Sequence, residues 1–348
     1  MKKNRLITLA LLLSGAIFST AANAQDGAAD LVQAGADAGK LTEAYLAPIF
    51  KGFGIGLNSG WANTAHSKNM GRFDLRLSVT AAQIPTKDET FNVTSIGLTN
   101  NLRLKAGQSA IAPTVSGEKT IGPIVELYNG NSKVREFNLP QGAKVPFVPA
   151  PQLQASVGLI KGIEVSVRAI PQINLGDVGS LNMIGGGIKV EVLPLIAGKT
   201  ASKLLPFDVA VALGYTQFSY KKKLDYKSPD GTTMPDNQTI EAKISGINTQ
   251  LILSKTLLVF TPFISVGLNS SKTDGGLKGS YRVATSAVAG IPVYNTVQDP
   301  VTIDKKNFSS FRSDLGFQLN LAIFRLYASY SVSEYNSFNA GIGLGIGK

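Results

Sequence analysis

The sequence predicts an all-β fold: a transmembrane antiparallel β-barrel of about 12 strands (10–14), preceded by a short N-terminal α-helical plug segment. Three observations predict it. The chain opens with an export signal, many later segments alternate apolar and polar residues, and several of these segments are ten or more residues long. Soluble strands are usually about 5–6 residues long, whereas tilted strands that cross a membrane need about 9–11. The length of the alternation therefore favours a membrane barrel over a secreted sandwich.

Residues 1–24 have the three parts of a secretory signal peptide. Lys2, Lys3 and Arg5 form a basic start, residues 6–18 are largely apolar, and Ala22-Asn23-Ala24 is a cleavage site. The apolar run is shorter than the roughly 20 residues that a membrane-spanning helix needs. Cleavage lowers the net charge from +11 to +8, because the removed segment carries three bases and no acid. The signal predicts export to the cell outer membrane.

The composition excludes several classes of function. The 348 residues include no Cys and one His. Disulfide frameworks, thiol nucleophiles, Cys-ligated metals and His-rich metal sites are therefore excluded, and we predict no cofactor and no metal. Nucleic-acid binding has no support either, because the aromatic residues alternate with aliphatic ones on the expected lipid face.

Alternating short and long connections allow the strands to be counted. A long outer loop is expected at 271–306, and a phase change at Ser245-Gly246 predicts a β-bulge. The expected domains are the signal peptide 1–24, a helical plug or periplasmic segment 25–51, and the barrel 52–348. One further strand is expected between 88 and 148, where two segments compete. The other expected strands are 53–65, 71–83, 150–160, 163–173, 182–194, 207–219, 239–254, 257–270, 309–322, 324–333 and 337–347.

Apolar residues at helical spacing between Leu31 and Ile49 predict an amphipathic helix that Pro48 ends. This helix lies either in the periplasm or in the lumen. A lumenal position is favoured by glycines on the expected first and last strands, which are neighbours in a closed barrel. Glycine in a strand often marks the close approach of another backbone. The expected plug-contact glycines are Gly54, Gly56, Gly60, Gly341, Gly343 and Gly345.

Charged residues on the polar face of the strands are expected to point into the lumen, as a polar pore or as a salt-bridge network. The seven bases nearly balance the six acids. The lumen therefore shows no strong ion preference. Because a 12-strand barrel with a helix inside has little free bore, we expect restricted or gated passage, or binding, of small polar solutes. The alternatives are a hydrophobic-ligand transporter of the fatty-acid type and a structural or surface-interaction barrel without transport. The expected lumenal residues are Arg72, Asp74, Arg76, Glu164, Arg168, Lys189, Glu191, Asp208, Glu241, Lys243, Arg312, Asp314 and Arg325.

An enzyme is not expected, and no residue is assigned a catalytic role. Outer-membrane phospholipases are barrels with a His-x-Ser-Asn-Gly motif on a strand. Here the segment His66-Ser67-Lys68-Asn69-Met70-Gly71 is similar in composition but not in spacing. On a strand, adjacent side chains face opposite sides. His66 is therefore expected to be a solvated residue of an outer loop. Lys221, Lys222 and Lys223 are either a solvated run or a contact for anionic lipopolysaccharide among the outer-membrane lipids.

Several segments together resemble a Bacteroidota family of outer-membrane β-barrel proteins without an established activity. They are Tyr45-Leu46-Ala47-Pro48 and residues 52–61, 161–171 and 205–215. The resemblance covers most of the mature chain and implies fold and location only. A more distant analogy is to the long-chain fatty-acid transporter barrels, which also carry an N-terminal plug but have an apolar lumen. Neither the substrate nor the oligomeric state follows from the sequence.

Overall fold

The computed structural model describes residues 31–160, 162–196 and 206–345. The expected signal peptide, residues 1–24, lies outside these ranges. No helix in the described ranges is long and apolar enough to cross a membrane. The long helix is α1 (Ala38–Asn58), and α2 (Leu193–Ile196) is a single turn.

In the described ranges seventeen strands follow α1, and ten of them close into an antiparallel barrel in the order β1, β17, β16, β15, β12, β11, β10, β9, β8, β7. The antiparallel barrel and the N-terminal helix confirm the predicted fold class, with ten barrel strands in the described chain rather than 12. The strands are β1 (Phe73–Gln83), β2 (Thr90–Asn92), β3 (Leu102–Leu104), β4 (Ile111–Pro113), β5 (Ile124–Asn129), β6 (Ser132–Asn138), β7 (Phe147–Gly158), β8 (Ile163–Asn174), β9 (Ser180–Glu191), β10 (Asp208–Lys223), β11 (Thr239–Ser254), β12 (Phe260–Lys278), β13 (Ser280–Val288), β14 (Ile291–Gln298), β15 (Val301–Leu321), β16 (Phe324–Val332) and β17 (Ser337–Gly345).

The outer surface of the barrel is apolar. Every barrel strand exposes at least one large hydrophobic side chain on its outer face, while the inward positions between them are mostly buried polar residues. Strands that alternate in this way match a wall with lipid outside and a polar lumen inside. The exposed residues include Leu75, Phe147, Val167, Ile188, Leu213, Leu251, Ile264, Leu315, Leu326 and Ile342.

The two ends of the barrel differ in the length of their connections. The loop end carries the long connections 84–146, 224–238 and 279–300, and two short ones, 175–179 and 333–336. Apart from the segment between β9 and β10, the turn end has short links such as 255–259 and 322–323. In outer-membrane barrels the longer loops face outward and the short turns face the periplasm. On this rule the loop end is the outer end. A cap at the loop end contains the pair β2–β4 and the sheet β3–β5–β6.

The N-terminal segment fills the lumen. Helix α1 packs against β1, β7, β10, β11, β12 and β15, so the wall surrounds it. It enters from the loop end, where Asp37 accepts hydrogen bonds from the cap residue Thr99. Residues 59–72 then run on to the turn end, where β1 begins at Phe73. We call residues 31–72 the plug.

The predicted strand 53–65 is therefore wrong, and so is the expected barrel boundary at residue 52. Residues 53–58 belong to α1, and Pro48 lies inside that helix rather than at its end. Of the two competing segments between 88 and 148, residues 92–98 are mostly a 3-10 turn and loop, and residues 123–127 lie largely in β5 of the cap, so neither crosses the barrel. These two differences account for the lower strand count. The described helix is lumenal, which also excludes the periplasmic alternative.

The lumen has an apolar half and a polar half. At the loop end, Phe218, Ile244 and Phe308 point inward and pack with Phe53 of α1 in one hydrophobic core. The pairing of β11 with both neighbours is continuous from Thr239 to Ser254, so the predicted bulge at Ser245-Gly246 is wrong. The phase change in the sequence marks apolar residues that face a helix instead of lipid.

Two further expectations change at this end. Because β11 keeps its phase, Glu241 and Lys243 share the outward face with Ile247, and Glu241 pairs with the exposed Lys221 at 2.7 Å. The predicted outer loop 271–306 is largely strand. Strand β12 extends to Lys278, β15 begins at Val301, and the hairpin β13–β14 joins them.

Candidate functional site: the plug–wall contact and the turn-end cavity

Three arginines meet the C-terminal end of α1 in the middle of the barrel. Arg76 lies on β1, Arg168 on β8 and Arg312 on β15, and they are 5%, 0% and 1% exposed. A helix that ends inside a protein leaves its last carbonyl groups without intrahelical partners and presents the negative end of its dipole. Buried cations at this point supply both hydrogen-bond donors and a favourable charge.

Arg168 makes the largest number of contacts with the plug. Its Nη1 donates to the carbonyl oxygen of Leu57 at 2.7 Å, and its Nη2 donates to that of Ser59 at 2.7 Å. Its Nε donates to Gln154 Oε1 at 2.9 Å, and its guanidinium lies 3.9 Å from the ring centroid of Trp61. In the described chain Arg168 has no carboxylate partner, so its hydrogen bonds go to neutral groups of plug and wall.

The other two arginines hold the same short stretch of chain. Arg76 donates to the carbonyl oxygen of Gly60. Arg312 Nη1 donates to the hydroxyl of Ser59 at 2.9 Å, and its Nε donates to Asp314 Oδ1 at 2.7 Å. Asp314 is therefore an internal partner of Arg312 and does not face an open channel.

Amide and ammonium groups of the wall continue this pattern on both sides of the arginines. Gln152 donates to the carbonyl oxygen of Gly56, and Gln154 donates to that of Trp61 at 3.1 Å. Lys189 Nζ donates to the carbonyl oxygens of Thr64 at 3.1 Å and His66 at 3.0 Å. We call the wall guanidinium, ammonium and glutamine amide groups that donate to carbonyl oxygens of residues 56–66 the carbonyl clamp: Arg76, Gln152, Gln154, Arg168 and Lys189.

Glycines shape the plug–wall contact, but not as the sequence predicts. A Cβ on Gly54 or Gly56 would collide with Ser271 or Ala150, so these glycines allow α1 to lie against the wall. Gly60 has a φ of +64° and lies against Asn339. The predicted floor on the last strand is wrong, because the space beside those residues is filled by wall side chains. Gly341 faces Ser78, Gly343 faces Tyr327, and Gly345 faces Asp74 and Arg325.

Below the carbonyl clamp lies a polar cavity of about 490 Å³ that opens at the turn end. Lys68 of the plug pairs with Glu164 at 3.0 Å and with Asp74 at 3.4 Å. Lys189 pairs with Glu164 at 3.1 Å. Arg325 of β16 also lines the cavity. In the barrel order β16 is four strands from β10, which begins at Asp208 on the same cavity.

His66 lies at this cavity and not in an outer loop, so that prediction is wrong. Its Nδ1 is 3.6 Å from Glu191 Oε1 and 4.0 Å from Asp208 Oδ1. The nearby carboxylate of Glu191 raises the pKa of His66 above its ordinary value. The sequence places His66 wrongly because residues 53–65 look like an upward strand, which would carry the next residues to the outer end.

The structure places the predicted lumenal charged residues in four positions: before β1, on the outward face, around the turn-end cavity, and buried on the inner face. Arg72 is exposed just before β1, and Glu241 and Lys243 face outward. Asp208 and Arg325 line the turn-end cavity, together with Asp74. Sequence reasoning missed Gln152, Gln154 and Trp61, although the two glutamines alternate on a long strand as lumenal residues should. The charged residues that are buried on the inner face are Asp74, Arg76, Glu164, Arg168, Lys189, Glu191, Arg312, Asp314 and Arg325.

The described barrel has weak similarity to solved outer-membrane proteins. Neisserial surface protein A is 10% identical, covers 78% of this chain and 96% of its own, and has a TM-score of 0.24. The attachment invasion locus protein Ail of Yersinia pestis is 7% identical over 80% of this chain and 100% of its own, with a TM-score of 0.25. The outer membrane protease OmpT of Escherichia coli is 10% identical over 83% of this chain and 100% of its own, with a TM-score of 0.31.

TM-scores this low support no argument about topology or activity. No curated protein matches the chain. A family model described as a family of unknown function, DUF6588, matches residues 1–346.

Proposed function

The chain belongs to DUF6588, a family of unknown function, and from its geometry we propose that it is a gated outer-membrane barrel for small polar solutes. In the state described here the plug closes the lumen. Passage requires the plug to move, and solutes bind in the turn-end cavity. The predicted export signal and the apolar outer wall support a location in the outer membrane.

The single observation that carries the proposal is the polar character of the plug–wall contact in the turn-end half. The carbonyl clamp holds main-chain oxygens of residues 56–66 by hydrogen bonds. Beside them, Ala62 and Ala65 of the plug belong to a small apolar cluster with four wall residues, Ala210, Ala212, Ile252 and Phe263. Hydrogen bonds of this kind can be exchanged for bonds to water, so each contributes only about 1 kcal/mol net. A contact built from them is reversible, unlike an apolar core.

Buried polar atoms without a protein partner point in the same direction. Within the described chain, Asn58 Oδ1, Trp61 Nε1 and both amide atoms of Asn248 are buried and have no hydrogen-bond partner. Each such group costs about 1–3 kcal/mol when it is left unpaired. These groups destabilise the closed state relative to one in which water reaches them. The interface therefore suits a gate better than a permanent seal.

The two alternatives have less support. A fatty-acid type of transporter needs an apolar conduit, whereas here α1 fills the apolar half and charged groups line the remainder. A structural barrel without transport does not explain the unpaired groups at the plug. We propose no catalytic role, because the segment around His66 lacks the phospholipase spacing.

Anionic lipid, including lipopolysaccharide, is the proposed partner of the outer surface. A groove of about 520 Å³ near the loop end is lined by Lys221, Lys243 and Lys278 together with Glu241 and Asp274. Lys221 and Lys243 lie on the outward face above the apolar wall. Ammonium groups in this position face the phosphates of a lipid headgroup layer.

Single-channel recording of the refolded full chain in a planar bilayer tests the gate. The wild type should be closed for most of the recording, with brief openings. Arg168→Met removes the donors to Leu57 and Ser59. The Ser59 carbonyl then has no partner, which costs about 1–3 kcal/mol, while the Leu57 carbonyl keeps the hydroxyl of Thr216 at 3.3 Å. Because about 1.4 kcal/mol is a factor of ten, the open fraction should rise about tenfold.

Arg103→Met is the matched control, because Arg103 is exposed in the cap and donates only to Asn100. Trp61, the only Trp of the chain, gives an independent readout, since its emission should shift to the red in Arg168→Met when the plug leaves the lumen. A continuously open wild type would show that the plug does not close the lumen. Silence from a correctly folded Arg168→Met whose Trp61 emission has shifted would leave a barrel without transport.

A further inference from the structure

We propose that His66, Glu191 and Asp208 bind a divalent transition-metal ion at the turn end, and that this ion joins the plug to the barrel wall. His66 belongs to the plug, Glu191 ends β9 and Asp208 begins β10. The site therefore spans two parts of the chain that must separate if the plug leaves.

The ligand atoms are close to the positions that a metal requires. One atom from each of the three side chains lies within 4.8 Å of the others, and His66 Nδ1 is 3.6 Å from Glu191 Oε1. Zinc binds imidazole nitrogen and carboxylate oxygen at about 2.0–2.2 Å, so tetrahedral ligands are about 3.4 Å apart. His66 and Asp208 have room to close the remaining gap, since their side chains are 54% and 27% exposed.

The charges around the site leave a net negative charge. Lys68 and Lys189 pair with Glu164 and Asp74, and Arg325 lines the same cavity. Glu191 and Asp208 have no ion-pair partner among the described residues other than His66. Four carboxylates thus face three basic side chains, and a bound cation would offset the remaining negative charge.

Neighbouring hydrogen bonds already orient two of the ligands. Glu191 Oε2 accepts the backbone N–H of Ser67 at 3.0 Å, which turns Oε1 toward His66. The carbonyl oxygen of His66 accepts from Lys189 Nζ at 3.0 Å, which fixes the backbone that carries the imidazole. Groups that orient metal ligands in this way increase metal affinity.

The donor set selects the class of metal. One imidazole with two carboxylates suits Zn²⁺ and related transition ions, whereas Ca²⁺ and Mg²⁺ prefer oxygen ligands alone. His66 and Asp208 border the cavity of about 490 Å³, so water can complete the coordination. A single His excludes a His-rich site, as the sequence shows, but not this mixed site. The fold brings His66 together with Glu191, 125 positions further along the chain, and with Asp208.

Titration of ZnCl₂ into the folded full chain in detergent, followed by calorimetry, tests the proposal. We expect one Zn²⁺ per chain. His66→Ala and Asp208→Asn should each lower the affinity at least tenfold. Asp236→Asn is the matched control, because Asp236 is an exposed carboxylate of the loop end. Heat-dependent migration in gels verifies that each variant is folded.

Three results would overturn the metal site: no Zn²⁺ binding, Zn²⁺ binding that His66→Ala leaves unchanged, or Ca²⁺ binding as tight as that of Zn²⁺. The effect on gating rests on the proposed function and is measured separately. Zn²⁺ should lower the open fraction of Arg168→Met at least tenfold but leave Arg168→Met/His66→Ala unchanged. If Zn²⁺ binds through His66 while no variant conducts, the proposed gating function is refuted and the proposed metal site is supported.

Discussion

Replacing Gly56 by Ala tests the position of α1 against the barrel wall. Gly56 lies in the last turns of α1, opposite Ala150 of β7. A Cβ built on Gly56 would lie 2.3 Å from the Cβ of Ala150, which is fully buried. Both atoms are attached directly to the backbone, so no side-chain rotation can relieve the clash. Either the helix or the strand has to shift.

The magnitude follows from two opposing effects. Adding a methylene-sized group to a packed interior costs about 1–3 kcal/mol, and a contact this short between rigid atoms belongs near the upper end. In a helix, Ala is more favourable than Gly by about 1 kcal/mol. We therefore expect Gly56→Ala to lower the free energy of unfolding by about 1–2 kcal/mol.

Urea unfolding of the refolded barrel in detergent measures this difference, and a double-mutant cycle with Ala150→Gly assigns it. Gly56→Ala/Ala150→Gly moves the methyl group from wall to helix, so the coupling free energy should be about 1 kcal/mol or more. Gly186→Ala is the matched control, since a Cβ at Gly186 meets open space. If Gly56→Ala stabilises the protein, as helix propensity alone predicts, or shows no coupling to Ala150, then α1 does not lie against β7 at this point.

Two further predictions concern the ends of the barrel. The chain has no Cys, so single cysteines can be labelled selectively. Ala36→Cys at the loop end should react with a membrane-impermeant maleimide on intact cells, whereas Met70→Cys at the turn end, where Met70 is 75% exposed, should react only after lysis. The reverse labelling would mean that the plug enters from the periplasm. Lys243→Glu places an acid beside the basic groove and should weaken binding of purified lipopolysaccharide several-fold relative to Asp236→Asn, and unchanged binding would remove the groove as the lipid contact.

The barrel wall was predictable because its signal is local. A strand with lipid on one side must alternate apolar and polar residues, and this alternation is visible in the sequence. The predicted strands 207–219 and 324–333 correspond to β10 at Asp208–Lys223 and β16 at Phe324–Val332. The expected family has no established activity, and the chain belongs to DUF6588, a family of unknown function. The Bacteroidota origin and the analogy to fatty-acid transporters stay predictions.

The plug was predictable only in part, because its environment is not local. A helix enclosed by a wall is buried on every side, and the consecutive residues 52–58 of α1 are all buried. Helical periodicity vanishes when no face meets water. What remains visible is Gly54 and Gly56 at alternate positions, which resembles a strand. The same effect moved Glu241 and Lys243 to the wrong face, because Ile244 looks lipid-facing until α1 is placed beside it.

Arg168 shows why the nearly balanced charges of the lumen do not all form ion pairs. If the charges existed only to neutralise one another, Arg168 would have a carboxylate partner, since burying an unpaired cation is costly. Instead it donates to Leu57 and Ser59, where α1 ends and its carbonyl groups lack partners. A helix that stops halfway down a lumen requires donors at that depth, and acids cannot supply them. The arginines in the middle of the barrel are therefore required by the position at which the helix ends. Any group that displaces the helix must replace the hydrogen-bond acceptors that the helix gives them.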